Sequence, residues 1–306
     1  MANAPKMAGT EARERLGWFY SLRFLLFRRF VQFVVMMMFI SGPLLGVWIL
    51  RGNYSSSKFL DMIPVTDPLI FLQSLMAGHW PTVMSALIGT LIIGCIYAVL
   101  SGRLYCSWVC PFNLVSDLAS WCRRKLGLQA GLTIPNKLRY AVLAGVLLSS
   151  FATGVLIWEW VNPVGITGRG LVSVAGEFGK ANKLTVEALW QILVFSLGAG
   201  IWLLVAIFIF DLLVVKNGWC GHLCPMGAMY SLIGMKSTVH LDAKQRERCT
   251  KCMDCIHVCP EPQVLPKPLF AKQEGSLITS SECTRCGRCI DVCPEKVFVI
   301  KVRYTS

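Results

Sequence analysis

Four long apolar runs, a C-x3-C-P motif after the second and fourth of them, and a C-x2-C-x2-C-x3-C-P motif that occurs twice near the C-terminus together predict the fold class. They describe a mainly α membrane protein. Four transmembrane helices form two parallel two-helix repeats, and a C-terminal cytoplasmic module of the bacterial 2[4Fe–4S] ferredoxin type follows. Residues 1–29 make a basic N-terminal segment, 30–240 the transmembrane domain and 241–306 the ferredoxin-like domain.

Composition supports the membrane reading. Of 306 residues, 55% are hydrophobic and 15% charged, and the mean hydropathy is +0.57. A soluble domain of this size carries more charge. The formal charge of +13 raises nucleic acid as a partner. The basic residues sit beside the apolar runs, however, where the positive-inside rule places them. No nucleic-acid partner is expected.

The first span runs from Phe30 to Leu50, with a kink expected at Gly42-Pro43. It is too long for a signal-peptide core and lacks a small-residue cleavage site. Further spans cover about Val83–Leu100, Tyr140–Trp160 and Ala188–Val215. Each is continuously apolar rather than alternating, which fits helices and not barrel strands. Residues 1–29 and the loop 101–139 carry six Lys or Arg each, against two in 51–82 and three in 161–187. The expected placement is a multi-pass protein of the inner (cytoplasmic) membrane with both termini cytoplasmic. In the first outer loop, Thr66-Asp67-Pro68 opens a short helix expected on the membrane surface. In the second, Trp158-Glu159-Trp160 suits an interfacial aromatic belt. Asp211 is expected to pair with a loop arginine.

The first ferredoxin motif supplies Cys249, Cys252, Cys255 and Cys259-Pro260, the second Cys283, Cys286, Cys289 and Cys293-Pro294. Soft thiolates at this spacing suit cubane [4Fe–4S] clusters, and the cysteine before proline reaches the other cube. One cluster is therefore assigned to Cys249, Cys252, Cys255 and Cys293. The other is assigned to Cys259, Cys283, Cys286 and Cys289. Zinc ribbons lack the third cysteine and the C-x3-C-P tail. A disulfide framework needs an oxidising compartment.

The internal repeat pairs Cys106-Ser107-Trp108-Val109-Cys110-Pro111 with Cys220-Gly221-His222-Leu223-Cys224-Pro225. Upstream, Arg29-Phe30 to Trp48 mirrors Arg139-Tyr140 to Trp158. The i, i+4 spacing puts both thiols of a pair on one helical face. Cys106, Cys110, Cys220 and Cys224 are expected to converge between the repeats, as a third metal or iron–sulfur centre or as a dithiol couple. Cys95 and Cys122 read as ordinary buried cysteines. The four histidines lie outside the cores of the spans, so no haem is expected. No Gly-rich fingerprint calls for a nucleotide.

Taken together, Ser41-Gly42-Pro43, Gly52-Asn53-Tyr54-Ser55-Ser56-Ser57, Thr66-Asp67-Pro68-Leu69, the two C-x3-C-P motifs, Trp158-Glu159-Trp160 and Cys252-Met253-Asp254-Cys255 resemble the NapH family of ferredoxin-type membrane proteins. Methylamine-utilisation relatives share the plan. The resemblance implies an electron-transfer subunit of a quinol dehydrogenase. It would pass electrons from membrane quinol toward periplasmic nitrate reductase, with the iron–sulfur protein NapG or by way of the tetrahaem protein NapC. Nitrate reduction itself would lie on another protein. A quinol site needs a proton acceptor near the interface, and Glu159, Asp67 and His79 are the candidates. The rival reading is a metal-handling or regulatory assembly factor that uses the C-x3-C-P thiols.

Overall fold

The computed structural model describes residues 8–79, 83–128, 131–132, 134–180, 198–271 and 275–302. It is mainly helical, with two small three-stranded antiparallel sheets. Helix α1 (Thr10–Leu16) leads through Gly17 into α2 (Trp18–Leu45). No breaker interrupts Trp18–Ser41, so α2 starts well before Phe30 and runs 28 residues, about 42 Å. It continues through Gly42 and Pro43 and stops at Gly46, whose left-handed φ of 72° lets its amide donate to Gly42 O. Gly42 is glycine because a Cβ there would collide with the Trp48 indole.

Among the described residues α2 is the helix long and apolar enough to cross a membrane. Ser85–Val99, Leu138–Thr153 and Trp202–Val214 are shorter apolar helices. They belong to α4 (Val83–Val99), α7 (Leu138–Thr153) and the segment that begins with the Gly198–Ile209 helix. Residues 188–197 of the expected fourth span lie outside the described residues. Helix α7 ends at Gly154, in the left-handed conformation, short of the expected Trp160. A separate helix, α8 (Ile157–Val161), carries the two tryptophans. Trp160 is exposed, as a belt residue should be. Trp158 is buried and stacks on Trp219 at 6.3 Å, so the aromatic-belt reading fails for it.

The first outer loop departs most from expectation. Strands β1 (Leu50–Gly52), β2 (Ser56–Phe59) and β3 (Ile63–Thr66) form a meander, with Gly52 opposite Ser57 and Ser56 opposite Thr66. Asp67 then caps α3 (Pro68–Met76), accepting from the amides of Leu69 (2.8 Å) and Ile70 (3.4 Å). The expected helix is present, but it lies inside the bundle, against α4, α7 and the Pro225–Ile233 helix, not on a surface. Its sequence explains this: Pro-Leu-Ile-Phe-Leu-Gln-Ser-Leu-Met has no charged face to offer lipid headgroups or water. The one strongly polar member, Gln73, is buried and pairs with Ser150 of α7. Strand β3 folds back along α4, where Gly89 leaves room; a Cβ there would lie 2.9 Å from Pro64 O.

In the C-terminal module β4 (Val239–Asp242) lies between β5 (Leu277–Ile278) and β6 (Val299–Val302). Leu241, Leu265, Ile278, Ile290, Val297 and Phe298 form a core around the cysteines. Helix α2 docks on this module by its first turns. The Phe24 and Leu25 amides face Asp291 at 3.2 Å each, and Gly287 admits the Phe24 ring.

Gly102 and Gly234 meet backbone to backbone, where a Cβ at Gly102 would strike Tyr230 O and one at Gly234 the Gly102 amide. Gly102→Ala should cost about 2 kcal/mol or more by overpacking, read as a lowered thermal midpoint in detergent. Gly145→Ala, inside α7 at a position with nothing near the added methyl, should hold the midpoint or raise it by a few degrees, because alanine is favoured over glycine in a helix.

Candidate redox centres

Both ferredoxin motifs impose the same backbone. Lys251 and Arg285 are left-handed (φ 57° and 48°), as are Met253 and Gly287 (φ 65° and 74°). These alternations turn successive thiols to one side. The third cysteine of each run then enters a short helix, Asp254–Val258 or Arg288–Asp291. The structure brings Cys249, Cys252, Cys255 and Cys293 around one hollow, walled by Leu269, Val292, Val297 and Phe298. Burial first, then the charges of Cys293, Cys252 and Cys249, push the Cys255 thiol up to about 12. Cys259 is raised in the same way by burial and by Cys286 and Cys283. Burial and the charges of Cys286, Cys283, Cys259 and Cys255 raise Cys289. Each run's last cysteine thus sits with the other run's first cysteines.

Cys106, Cys110, Cys220 and Cys224 also come together, half-buried at the junction of the helical bundle and the C-terminal module. The Cys110 thiol is raised by burial and then by Cys106 and Cys224, and Cys220 by burial, Asp211, Cys224 and Cys110. The expected shared helical face is not how each pair is made. Cys106 lies in α5 (Leu104–Trp108), whereas Cys110 lies beyond its end. Cys220 lies in a π-turn, Trp219–Leu223, with extended Cys224 after it. What closes each pair is one wide turn: Cys110 N donates to Tyr105 O (3.0 Å) and Cys224 N to Trp219 O (2.8 Å). The proline that follows each pair ends the turn and starts a new one. Its successors aim amides back at the thiol, Phe112 and Asn113 toward Cys110, Met226 and Gly227 toward Cys224.

This donor set fits an anionic, thiolate-held centre. The Arg103 guanidinium opposes the burial effect at Cys106 by charge and hydrogen bonding, and the Arg103 Nε is buried without a hydrogen-bond partner. Among the described residues no three His, Cys, Asp or Glu groups are arranged to hold a single metal ion. A cubane takes its thiolates at separate corners.

Residues that the sequence reading passed over join the centres. Glu261, two residues after Cys259, pairs with Arg103 and with Arg139 (2.9 Å); all three are buried. Arg139 also meets Glu282 at 2.5 Å, next to Cys283. Arg103 donates to Cys220 O (3.1 Å) and Arg139 to Gly221 O (3.1 Å). Burial pushes the Glu282 carboxyl up, but Gln263, Arg139 and Arg103 outweigh it and hold the group below its ordinary value. Ser107 Oγ donates to Thr284 O (2.7 Å) and Trp108 Nε1 to Arg285 O (3.2 Å), so the first C-x3-C-P turn rests directly on the second ferredoxin run. The counterpart of Arg139 is Arg28, not Arg29. Arg28 donates to Ser107 O (3.0 Å), the position equivalent to Gly221. Asp211 accepts from Ser116 (2.6 Å) and the Trp219 amide (2.9 Å), in place of the expected arginine.

Of the quinol-site candidates, Asp67 is buried and accepts from Tyr230 Oη at 2.9 Å. Glu159 accepts from Ser55 Oγ (2.9 Å) and pairs with Arg169 (2.8 Å). His79 is exposed beyond the far end of α3, with its ring against Gly154 O (3.1 Å). The structure couples the first two and leaves His79 apart.

Glu261→Gln should destabilise the protein by about 3–5 kcal/mol, because it takes the carboxylate from the buried Arg103 guanidinium and leaves Arg139 with Glu282 alone. Thermal unfolding of the iron-loaded protein measures this. Glu282 has a lowered folded value, so its contribution is present above its ordinary value of 4.5 and is lost as pH falls from there through the lowered folded value. A Glu282→Gln variant should therefore lose less stability on acidification than the parent.

Residues 82–129 and 196–241 each match the family described as "4Fe-4S binding domain", and 241–294 match "4Fe-4S dicluster domain". No solved structure matches. The chain is 48% identical over 306 residues to ferredoxin-type protein NapH of Escherichia coli, covering 100% of this chain and 99% of that one. It is 50% identical over 282 residues to NapH of Haemophilus influenzae, covering 92% and 90% of the two. It is 44% identical over 279 residues to the methylamine utilization ferredoxin-type protein MauN of Methylorubrum extorquens, covering 91% and 89%. With iron–sulfur domains over both groups of motifs and near-complete alignment to these relatives, the chain belongs to the NapH family of ferredoxin-type electron-transfer proteins.

Proposed function

We propose that the protein is the membrane electron-transfer subunit of a quinol dehydrogenase, carrying electrons from membrane quinol toward periplasmic nitrate reductase. The observation that carries this reading is the direct contact between the chain segments that bear three groups of four thiols. Cys106 and Cys110 flank Ser107 and Trp108, whose side chains bond to the residues just after Cys283. Cys289 lies close enough to feel the charge of Cys255, which brings the two ferredoxin groups together in turn. Such a chain of centres serves transfer rather than storage.

Cys249, Cys252, Cys255 and Cys293 would hold one [4Fe–4S] cluster, and Cys259, Cys283, Cys286 and Cys289 the other. Cys106, Cys110, Cys220 and Cys224 would hold a third centre. Such centres accept one electron each, so a quinol's two electrons divide between neighbours. The protein's own part is to hold the thiols together, supply amides and Arg103 to the negative charge, and offer an acid to the departing proton. Asp67 and Glu159 are the acids so placed.

The membrane domain is read as four spans in two parallel repeats, with both termini cytoplasmic. Large apolar side chains on the outward faces support it: Phe30 and Phe33 of α2, Ile88 and Leu91 of α4, Leu148 and Phe151 of α7, and Trp202. NapG, or NapC, would receive the electrons outside.

Anaerobically purified protein should hold about twelve iron per chain, four for each cubane; about eight would leave the C-x3-C-P thiols without a cluster. Cys255→Ser should lose or convert one ferredoxin cluster and disturb the electron paramagnetic resonance of the other. Reduction of the clusters by a quinol analogue in the purified complex tests the function itself. Copper binding at Cys106 and Cys220 without quinol turnover would point to an assembly factor.

A further inference from the structure

A polar line leaves the four-thiol site in a direction that none of the cluster ligands uses. Tyr105 directly precedes Cys106. Its ring stacks on Tyr230 at 4.7 Å, and Tyr97 packs edge-on against both, at 5.8 and 5.3 Å. The Tyr105 hydroxyl is buried and has no hydrogen-bond partner. Tyr230 Oη donates to Asp67 Oδ2, and Asp67 N donates to Ser55 O at 2.9 Å. Ser55 Oγ in turn donates to Glu159 Oε2, and Glu159 pairs with Arg169 at the exposed edge. Burying Tyr105, Tyr230 and an acid beside four thiols, with Tyr97 half-buried against them, has a cost, and packing alone would be served by phenylalanine.

We propose that Asp67, reached through Tyr230, takes up the proton that accompanies an electron entering the four-thiol centre, and that Glu159 exchanges that proton with the aqueous edge. The inference rests on the quinol reading above for the source of the proton. Each quinol O–H that breaks sends its proton to the Asp67 carboxylate and its electron to an iron–sulfur centre. Two such events give the quinone and reduce two centres by one electron each. The proton then passes to Glu159, which lies near enough for its charge to act on Asp67; the Asp67–Ser55 backbone bond holds the two acids in place and carries no proton itself.

The groups facing Asp67 are Tyr97 from α4, Tyr105 from α5, Tyr230 from the Pro225–Ile233 helix and Glu159 from α8. Burial raises the Asp67 carboxyl to about 6; Tyr230 and the α3 amides oppose the rise, and the Glu159 charge adds to it. An acid so placed is mostly ionised at neutral pH yet close to accepting, as a proton acceptor must be.

The test separates this role from helix capping, because asparagine caps as well as aspartate. Infrared difference spectra are taken between oxidised and dithionite-reduced full-length protein in nanodiscs. Reduction should raise a carboxylic-acid C=O band that is absent in Asp67→Asn and shifted in Tyr230→Phe. A spectrum unchanged by Asp67→Asn, or no such band, overturns the proposal. Quinol-driven cluster reduction should fall about 100-fold in Asp67→Asn, with the clusters' paramagnetic spectra unaltered. Retention of the parent rate also overturns it. A parent protein that shows the band with dithionite and never accepts electrons from a quinol upholds the role of Asp67 and refutes the quinol reading alone.

Discussion

One carboxylate, Glu261, holds two buried guanidiniums from different parts of the chain. Arg103 comes from the end of α4 and Arg139 from the start of α7, while Glu261 follows the first ferredoxin run. Arg103 and Arg139 also hold the carbonyls of Cys220 and Gly221. The network therefore ties the second C-x3-C-P turn to the cluster-bearing module. Buried charge of this kind contributes little net stability, since desolvation offsets attraction. Its effect is positional. A shift of the module would strand at least one charge, so the three thiol groups have one low-energy arrangement.

The duplication in the sequence reappears as duplicated hydrogen bonds. Each C-x3-C-P segment closes the same wide turn and receives amides from the two residues beyond its proline. Each receives an arginine on the carbonyl after its first cysteine, from Arg28 in one half and Arg139 in the other. The two ferredoxin runs place left-handed residues at matching positions. The differences are as informative. Arg28 answers to Asn113 and Asp117 within the bundle, whereas Arg139 answers to Glu261 and Glu282 of the module. One half touches the module through the arginine on that carbonyl; the other reaches it through Ser107 and Trp108.

Features written in short local patterns were legible in the sequence. Asp67-Pro68 announced a capped helix, and the cysteine spacings announced where thiols would cluster. Long-range choices were not. Nothing local says that α3 is swallowed by the bundle, although its lack of a charged face is a usable signal. Trp158 and Trp160 look alike in sequence, and the break at Gly154 sends one inward and the other out. The buried acids and arginines were invisible singly, because Glu261 finds its partners 158 and 122 residues away. The one-residue offset between Arg28 and Arg29 needed the contacts themselves.

The distance in sequence between Arg103 and Glu261 also sets an order of biosynthesis. The two arginines leave the ribosome more than a hundred residues before the acid that neutralises them. Until then neither has Glu261 beside it, so the ion pairs that join the bundle to the module form only after the ferredoxin-like segment has been made. The junction is therefore among the last contacts of the fold that the growing chain can complete.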